Sequence, residues 1–225
     1  MRGPSPSRAG EAGRNKMGTL LVARHGETTW NRDGRIQGWA PSRLTDQGQK
    51  QATALGTWLD ERYGVDRVFA SDLRRTRETA AAANDGYGGL PDPEFETDWR
   101  ERGFGTMQGL YAEELLDEFP GHDRDASVIS LDAAPEGGEG IPTFRGRVES
   151  AWDRAIATTD AGETTLVVTH GGVIKVLLAK LTDVDPDAAL AKSSQPNCAA
   201  NEIRLDAGSP ELVSEEMTGW RTLLD

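Results

Sequence analysis

Cysteine is almost absent from this chain of 225 residues, and its scarcity limits the chemistry open to the protein. The single Cys198 excludes an internal disulfide and any metal cluster built on cysteine. Histidine is nearly as rare, with His25, His122 and His170 spread along the sequence. Three scattered histidines do not make the ligand cluster of a metal hydrolase, so we expect no metal and no cofactor. The cysteine usage favours a reducing, cytoplasmic setting.

Long apolar runs and positive charge are also lacking. No segment approaches the roughly 18 apolar residues that a transmembrane helix requires, so we expect no membrane span. The net charge of −12 argues against a nucleic acid or an anionic membrane as partner, since both attract basic surfaces. The basic residues are 20 arginines and only 5 lysines. An acidic, lysine-poor surface resembles that of salt-adapted proteins and leaves a halophilic habitat as an open alternative.

The chain divides into a short tail and one domain. Residues 1–16 are rich in Gly, Pro, Ser and Arg and are predicted to be a disordered tail, and residues 17–225 a single domain. Strands and helices alternate, which predicts a three-layer α/β/α fold with a mostly parallel central sheet. Strands are expected at 19–23, 67–70 and 164–169, helices from Thr45, Thr143 and Gly171, and a closing hairpin or edge strands at 199–205 and 210–217.

An arginine and a histidine stand side by side at the end of the first predicted strand. The apolar run from Leu20 gives way to Arg24, His25 and Gly26. Ligands of α/β folds tend to bind outside the carboxyl ends of the strands. A guanidinium can hold two oxygens of a phosphate, and an imidazole can attack phosphorus. The junction therefore predicts phosphoryl chemistry on His25.

The strand at 164–169 ends in the same way. His170, Gly171 and Gly172 follow it and open an apolar helix. The free N–H groups and the dipole at the start of a helix favour a phosphate oxygen. We expect His170 and Gly171 to face the same ligand as His25.

Four blocks, in this order, resemble the histidine phosphatase superfamily, the phosphoglycerate mutase-like family. They are Arg24-His25-Gly26-Glu27-Thr28, Ser71-Asp72-Leu73-Arg74-Arg75-Thr76, Glu101 and His170-Gly171. The resemblance covers about residues 19–181. It implies a phosphoglycerate mutase-like fold and a phosphohistidine intermediate on His25.

The resemblance also implies roles for the other site residues. Arg24 and Arg75 would hold the phosphate oxygens, His170 would hydrogen-bond the transferred group, and Glu101 would protonate the leaving oxygen. The predicted substrate-binding residues are Asn31, Gln37, Gly38, Gly171, Glu27 and Thr28. Glu27 is also the alternative proton donor, although its simpler role is to orient the first loop. Glu139 is expected either to bridge to an active-site arginine or to mark the entry of a helix.

The family contains phosphatases and mutases, and the segment after the acid block favours one of them. Residues 110–140 form a short predicted cap with nine Asp or Glu and one basic residue, Arg124. A mutase must retain its phosphohistidine and intermediate, for which a basic lid is suited. A phosphomonoester hydrolase is therefore preferred, with small phosphorylated metabolites as substrates.

Two alternatives stay open beside the hydrolase. The first is a phosphoglycerate mutase that interconverts 3- and 2-phosphoglycerate and needs a 2,3-bisphosphoglycerate primer, because Met107-Gln108-Gly109-Leu110 and Gly38-Trp39 resemble the mutase versions of these blocks. The second is a phosphate-sensing module without catalysis. A monomer or a homodimer is expected in each case.

Overall fold

The computed structural model describes residues 17–119, 121–123, 125–192, 195–206 and 209–224. The predicted tail at 1–16 and the basic cap residue Arg124 lie outside these ranges. The strands are β1 (Gly18–Arg24), β2 (Arg67–Ser71), β3 (Glu94–Glu96), β4 (Thr164–Thr169), β5 (Ala200–Leu205) and β6 (Pro210–Met217). The α-helices are α1 (Thr29–Arg32), α2 (Asp46–Asp60), α3 (Arg74–Tyr87), α4 (Ala112–Glu118), α5 (Ile141–Thr158), α6 (Gly171–Thr182) and α7 (Pro186–Lys192).

The strands form one sheet in the order β3-β2-β4-β1-β5-β6. The first four are mutually parallel, and β5 and β6 close one edge antiparallel. Arg24 pairs with Thr169, and Ala70 pairs with Val168. Because parallel strands end at the same edge, β1, β4 and β2 deliver their following residues side by side. The mostly parallel α/β sheet of the sequence prediction is confirmed.

Each strand of the sheet centre buries both faces, which gives the fold its three layers. In β1, Leu20 and Val22 pack in a core cluster with α5 and α6, while Leu21 and Ala23 pack with α2. Successive side chains of a strand point to opposite faces, so an uninterrupted apolar strand requires helices on both sides. A third cluster lies under the cap segment, formed by Ile36, Phe104, Met107, Leu115 and Leu131.

Some local predictions differ from the structure. Thr143 does not cap α5, which begins at Ile141 after the N-cap residue Gly140. Pro142 explains this earlier start, because its fixed φ suits the first turn of a helix and it has no N–H to satisfy there. The short helices α1 and α7 and the strand β3 were not among the predicted elements. No helix within the described ranges is long and apolar enough to cross a membrane.

Candidate active site

The strand ends place the two predicted histidines in contact. His25 follows β1 and His170 follows β4, and their rings meet edge to face with centroids 5.3 Å apart. His25 is 3 % exposed and His170 is fully buried. The pairing of β1 with β4 is the cause, since it aligns the last residues of the two strands. Two residues far apart in the sequence thus share one site.

Hydrogen bonding selects the nitrogen of His25 that can react. Nδ1 lies 2.8 Å from the carbonyl oxygen of Gly26. A carbonyl only accepts, so Nδ1 carries the proton and the lone pair is on Nε2. The backbone of His25 is held as well, because its carbonyl accepts from Asn197 Nδ2 and from the Cys198 N–H. His25 therefore presents a fixed imidazole with Nε2 as its nucleophilic atom.

His170 has the opposite tautomer. Its Nδ1 accepts from Arg75 Nε at 3.1 Å, so the proton is on Nε2, which lies 2.9 Å from Ser71 Oγ. Ser71 ends β2 and Arg75 lies in the first turn of α3. Both partners come from the block that the sequence analysis singled out, although Ser71 was not among the predicted site residues.

Both imidazoles are held neutral. Burial lowers the pKa of His25 well below its usual value, and the nearby charges of Arg75 and then Arg24 lower it further. Burial and Arg75 likewise lower the pKa of His170. A neutral imidazole is the nucleophilic form. Burial is the larger cause for both histidines, and the arginine charges add to it.

Arg24 is half-buried, and part of its hydrogen-bonding capacity is unused. Its Nη1 donates to the carbonyl of Gln195, but its buried Nε has no partner among the described residues. This Nε lies beside the start of α6, 3.5 Å from the point where a Cβ on Gly171 would stand. An unpaired buried N–H is costly, so the group is suited to a ligand oxygen. The first turn of α6 supplies further N–H groups on the same side.

Arg75 is the second arginine of the site, and it is buried. Besides His170 it donates to the carbonyls of Gly38 at 2.8 Å and Ala40 at 3.3 Å. Burial lowers its pKa to about 10, so it remains a cation at neutral pH. With Arg24 it places two positive charges beside two neutral imidazoles. This arrangement attracts an anion.

Glu101 lies at the N-terminus of α6, close to the histidines. One carboxyl oxygen accepts from the N–H of Gly172 at 3.0 Å, and the other accepts from the N–H of Arg102 at 2.9 Å. A Cβ at position 172 would stand 2.2 Å from this carboxyl group, so only glycine permits the approach. Glu101 is 8 % exposed. The sequence-predicted acid is thus beside the loop that carries His170.

The back of the Glu101 loop is fixed by an ion pair. Glu139 and Arg147 join through two contacts of 2.7 Å, and Arg147 donates to the carbonyl of Glu101 at 2.7 Å. Burial acts to raise the pKa of Glu139, but the hydrogen bonds from Arg147 and from the Gly103 N–H, together with the charges of Arg147 and Arg102, outweigh it and hold the pKa below its usual value. Of the two roles left open for Glu139, the structure shows the bridge to an arginine.

The first loop brings the predicted substrate-binding residues together. Thr28 is fully buried, accepts from the N–H of Asn31, and lies 3.0 Å from Gln37 Oε1. Its hydroxyl is therefore used inside the loop, where it caps α1. Gly38 adopts a positive φ of 49°, and its carbonyl accepts from Arg75. Asn31, Gln37 and Gly38 form one loop beside Arg75, and their binding of substrate stays a prediction.

Glu27 faces away from the reacting groups toward α2. Its carboxylate accepts from Thr45 Oγ1 at 2.7 Å, and its backbone N–H donates to Gln51. These are the contacts of a residue that orients the first loop, and not those expected if Glu27 were the alternative proton donor. Cys198 is also excluded as a reacting group, because burial strongly raises the pKa of its thiol.

The fold and this site define an α/β protein with two histidines and two arginines gathered at the carboxyl edge of its sheet. Comparison with known proteins gives its family. The model of the histidine phosphatase superfamily (branch 1) matches residues 20–218. The chain belongs to this superfamily, as the sequence motifs predicted.

Named relatives include phosphatases and a mutase-like protein. A metal-independent phosphoserine phosphatase of Arabidopsis thaliana is 34% identical over 177 residues, covering 78% of this chain and 73% of the relative. Phosphoglycerate mutase-like protein 4 of Arabidopsis thaliana is 37% identical over 159 residues, covering 70% and 68%. The structure of a mycobacterial glucosyl-3-phosphoglycerate phosphatase aligns with a TM-score of 0.74 at 26% identity and covers 88% of this chain and 98% of its own. The predicted phosphatase class is confirmed at this level.

Proposed function

We propose that the protein hydrolyses small phosphomonoesters through a phosphohistidine on His25. The observation that carries the proposal is the neutral, oriented imidazole of His25 beside the guanidiniums of Arg24 and Arg75. A phosphate monoester is a dianion that repels nucleophiles, so its non-bridging oxygens must be neutralised before attack. The unpaired Nε of Arg24 supplies one such contact.

The reaction runs in two displacements. Nε2 of His25 attacks phosphorus, the bond from phosphorus to the ester oxygen breaks, and Glu101 gives that oxygen a proton. Water then attacks the phosphohistidine, Glu101 takes a proton from it, and inorganic phosphate leaves with His25 restored. His170 donates its Nε2–H to an oxygen of the phosphoryl group; without substrate, this N–H contacts Ser71 Oγ. The first turn of α6 lies beside the same phosphoryl oxygens.

The cap supports hydrolysis over retention of the phosphoryl group. Residues 110–123 and 125–140 contain no lysine or arginine. Arg102, which reaches into this segment, is fully buried and donates to the backbone carbonyls of Ile129, Leu131 and Ala133. These donors are committed to the backbone and not directed to a second phosphate. A bisphosphate intermediate would therefore find little in this segment to hold it.

Turnover assays separate the hydrolase from the mutase and from a module without catalysis. The protein is given p-nitrophenyl phosphate, a sugar-phosphate panel and 3-phosphoglycerate, the last with and without 2,3-bisphosphoglycerate, all in EDTA. Phosphate release without the bisphosphate is the expected result. Primer-dependent isomerisation would establish the mutase, and no turnover of any ester would favour a phosphate-sensing module. Complete loss of activity in EDTA would contradict the metal-free mechanism.

A further inference from the structure

Trp39 is a large aromatic residue that stays 38 % exposed beside the proposed proton donor. We propose that its indole is the platform on which the alcohol part of the substrate rests, and that it selects esters whose alcohol carries a ring, aromatic or saturated. This inference rests on the proposed function, because it assumes that Glu101 protonates the leaving alcohol.

A hydrogen bond fixes the indole relative to the acid. Trp39 Nε1 donates to the backbone carbonyl of Glu101 at 2.7 Å. The same carbonyl accepts from Arg147, which the ion pair with Glu139 holds in place. The backbone N–H of Trp39 donates to the side chain of Gln108. The indole is therefore tied at two points, and one of them is the residue that delivers the proton.

The surroundings of the ring leave part of it open. Its six-membered edge lies against Gly103, where a Cβ would stand 3.2 Å from Trp39 Cε2. The Arg100 guanidinium lies 4.9 Å from the ring centroid and pairs with both oxygens of Asp72 at 2.6 Å. Arg100 is thus committed to Asp72 and to the indole. The remaining exposed ring surface is rigid and apolar.

A rigid aromatic surface at this point favours a particular leaving group. The faces of indoles carry negative charge density and attract the C–H groups of other rings, aromatic or saturated. A short linear alcohol would cover little of the surface. Hexoses and aryl-bearing alcohols both have the required shape, and the assay distinguishes between them.

The test compares three esters of primary alcohols, so that leaving-group reactivity is similar. They are ethyl phosphate, benzyl phosphate and glucose 6-phosphate. The wild-type protein should hydrolyse benzyl phosphate, glucose 6-phosphate or both with a higher kcat/KM than ethyl phosphate. Equal values for all three would overturn the proposal without any variant. No phosphate release from any ester would instead contradict the proposed function.

Substitution then locates the preference. Trp39→Leu should lower kcat/KM for the preferred ring ester by about 2- to 12-fold relative to ethyl phosphate, the range expected for one aromatic contact. Trp39→Phe keeps a ring and should retain most of the preference. An equal loss for all esters in Trp39→Leu would mean that Trp39 only positions Glu101, and would overturn the proposal.

Phe95 offers a matched control. It is also 38 % exposed, and the Arg77 guanidinium lies 3.8 Å from its ring centroid, but it lies on the edge strand β3, where it pairs with Ala70 of β2. Phe95→Leu should leave the ester preference unchanged. A loss equal to that of Trp39→Leu would show that the effect does not depend on the position of Trp39, against the proposal.

Discussion

The proposed catalytic edge of the sheet and the cap segment each contain an arginine with buried N–H groups, and the two arginines are used differently. Arg102 donates to four backbone carbonyls, of Glu139, Ile129, Leu131 and Ala133, at 2.6 to 3.0 Å. Arg24 donates to the carbonyl of Gln195 and leaves its Nε without a partner among the described residues. Burial lowers the pKa of both guanidiniums.

The difference separates a stabilising arginine from one prepared for a ligand. Four acceptors offset the cost of burying the Arg102 cation, and this side chain in turn fixes the irregular backbone above the site. Arg24 is left undersatisfied, which costs stability unless an anion binds. The two arginines thus differ in what they leave for a ligand: Arg102 uses its donors on the backbone, and Arg24 keeps an Nε–H without a partner among the described residues. Four sets of measurements test this difference, in order of decreasing expected effect.

Removing His25 should abolish turnover while leaving the fold intact. His25→Asn is expected to lower kcat by more than about 1,000-fold, because the nucleophile itself is lost. The control is His122→Asn, because His122 lies in the cap and not at the site. The hydrogen bond from its backbone N–H to the carbonyl of Phe119 does not depend on the side chain. Acid-labile phosphate on the wild-type protein after a rapid quench, absent in His25→Asn, would identify the attacking residue. Substantial activity in His25→Asn would contradict the mechanism.

Arg24→Met should mainly lower activity, and Arg102→Met should mainly lower stability. Arg24→Met is expected to reduce kcat/KM by about 100-fold or more, since it removes a contact to the charge that develops during transfer. Its free energy of unfolding should stay within about 1 kcal/mol of wild type, because only one carbonyl loses a partner.

Arg102→Met leaves four carbonyls without this donor and should lower the free energy of unfolding by about 3 kcal/mol or more. Urea unfolding and steady-state kinetics on both variants measure the contrast. If Arg24→Met were the more destabilising of the two, the distinction between the two arginines would not hold.

Glycine substitutions probe the contact between Glu101 and α6. The added methyl group of Gly172→Ala would stand 2.2 Å from the carboxyl oxygen and displace it. We expect about a 10- to 100-fold loss of kcat/KM, as for other small misplacements of a reacting group. Gly146 lies exposed in the middle of α5, and no atom lies within 4 Å of the place that a Cβ would take. Gly146→Ala should keep full activity and raise stability by about 0.5 to 1 kcal/mol through helix propensity.

The neutral histidines predict a loss of stability in weak acid. Their folded pKa values lie well below the unfolded value, so the unfolded chain binds more protons as the pH falls through about 6.5. The contribution of the two histidines to the free energy of unfolding is therefore complete above this pH. It decreases as the pH falls from about 6.5 to the pKa of the folded state. Each histidine contributes at most about 1.4 kcal/mol per pH unit.

Urea unfolding between pH 7 and pH 5 measures this dependence. The double variant His25→Asn/His170→Asn should show a shallower decline than wild type. A decline of the same steepness in both proteins would mean that other groups cause it.

The accuracy of the sequence predictions follows the range of the interactions involved. Strand β4 was predicted at its observed bounds, and Thr45 was correctly expected to start α2, because apolar patterns and N-caps act over a few residues. The three-residue β3 carries too little pattern to be recognised and exists through its pairing with β2. The start of α5 was misplaced because Thr143 and Pro142 both favour helix starts, and Pro142 decided it.

The amino-acid sequence was sufficient to predict the family, the α/β fold and the choice of His25, Arg24, Arg75, His170 and Glu101 as candidate site residues. The family and the site residues follow from four short motifs in order, and the fold follows from the alternation of strands and helices. The tertiary structure alone decided the opposite tautomers of the two histidines, the unpaired Nε of Arg24 and the bond from Trp39 to the Glu101 carbonyl. The physical reason is that burial and hydrogen bonding set the protonation of a side chain and the donors it leaves unpaired, and both depend on atoms brought together from distant strands and loops.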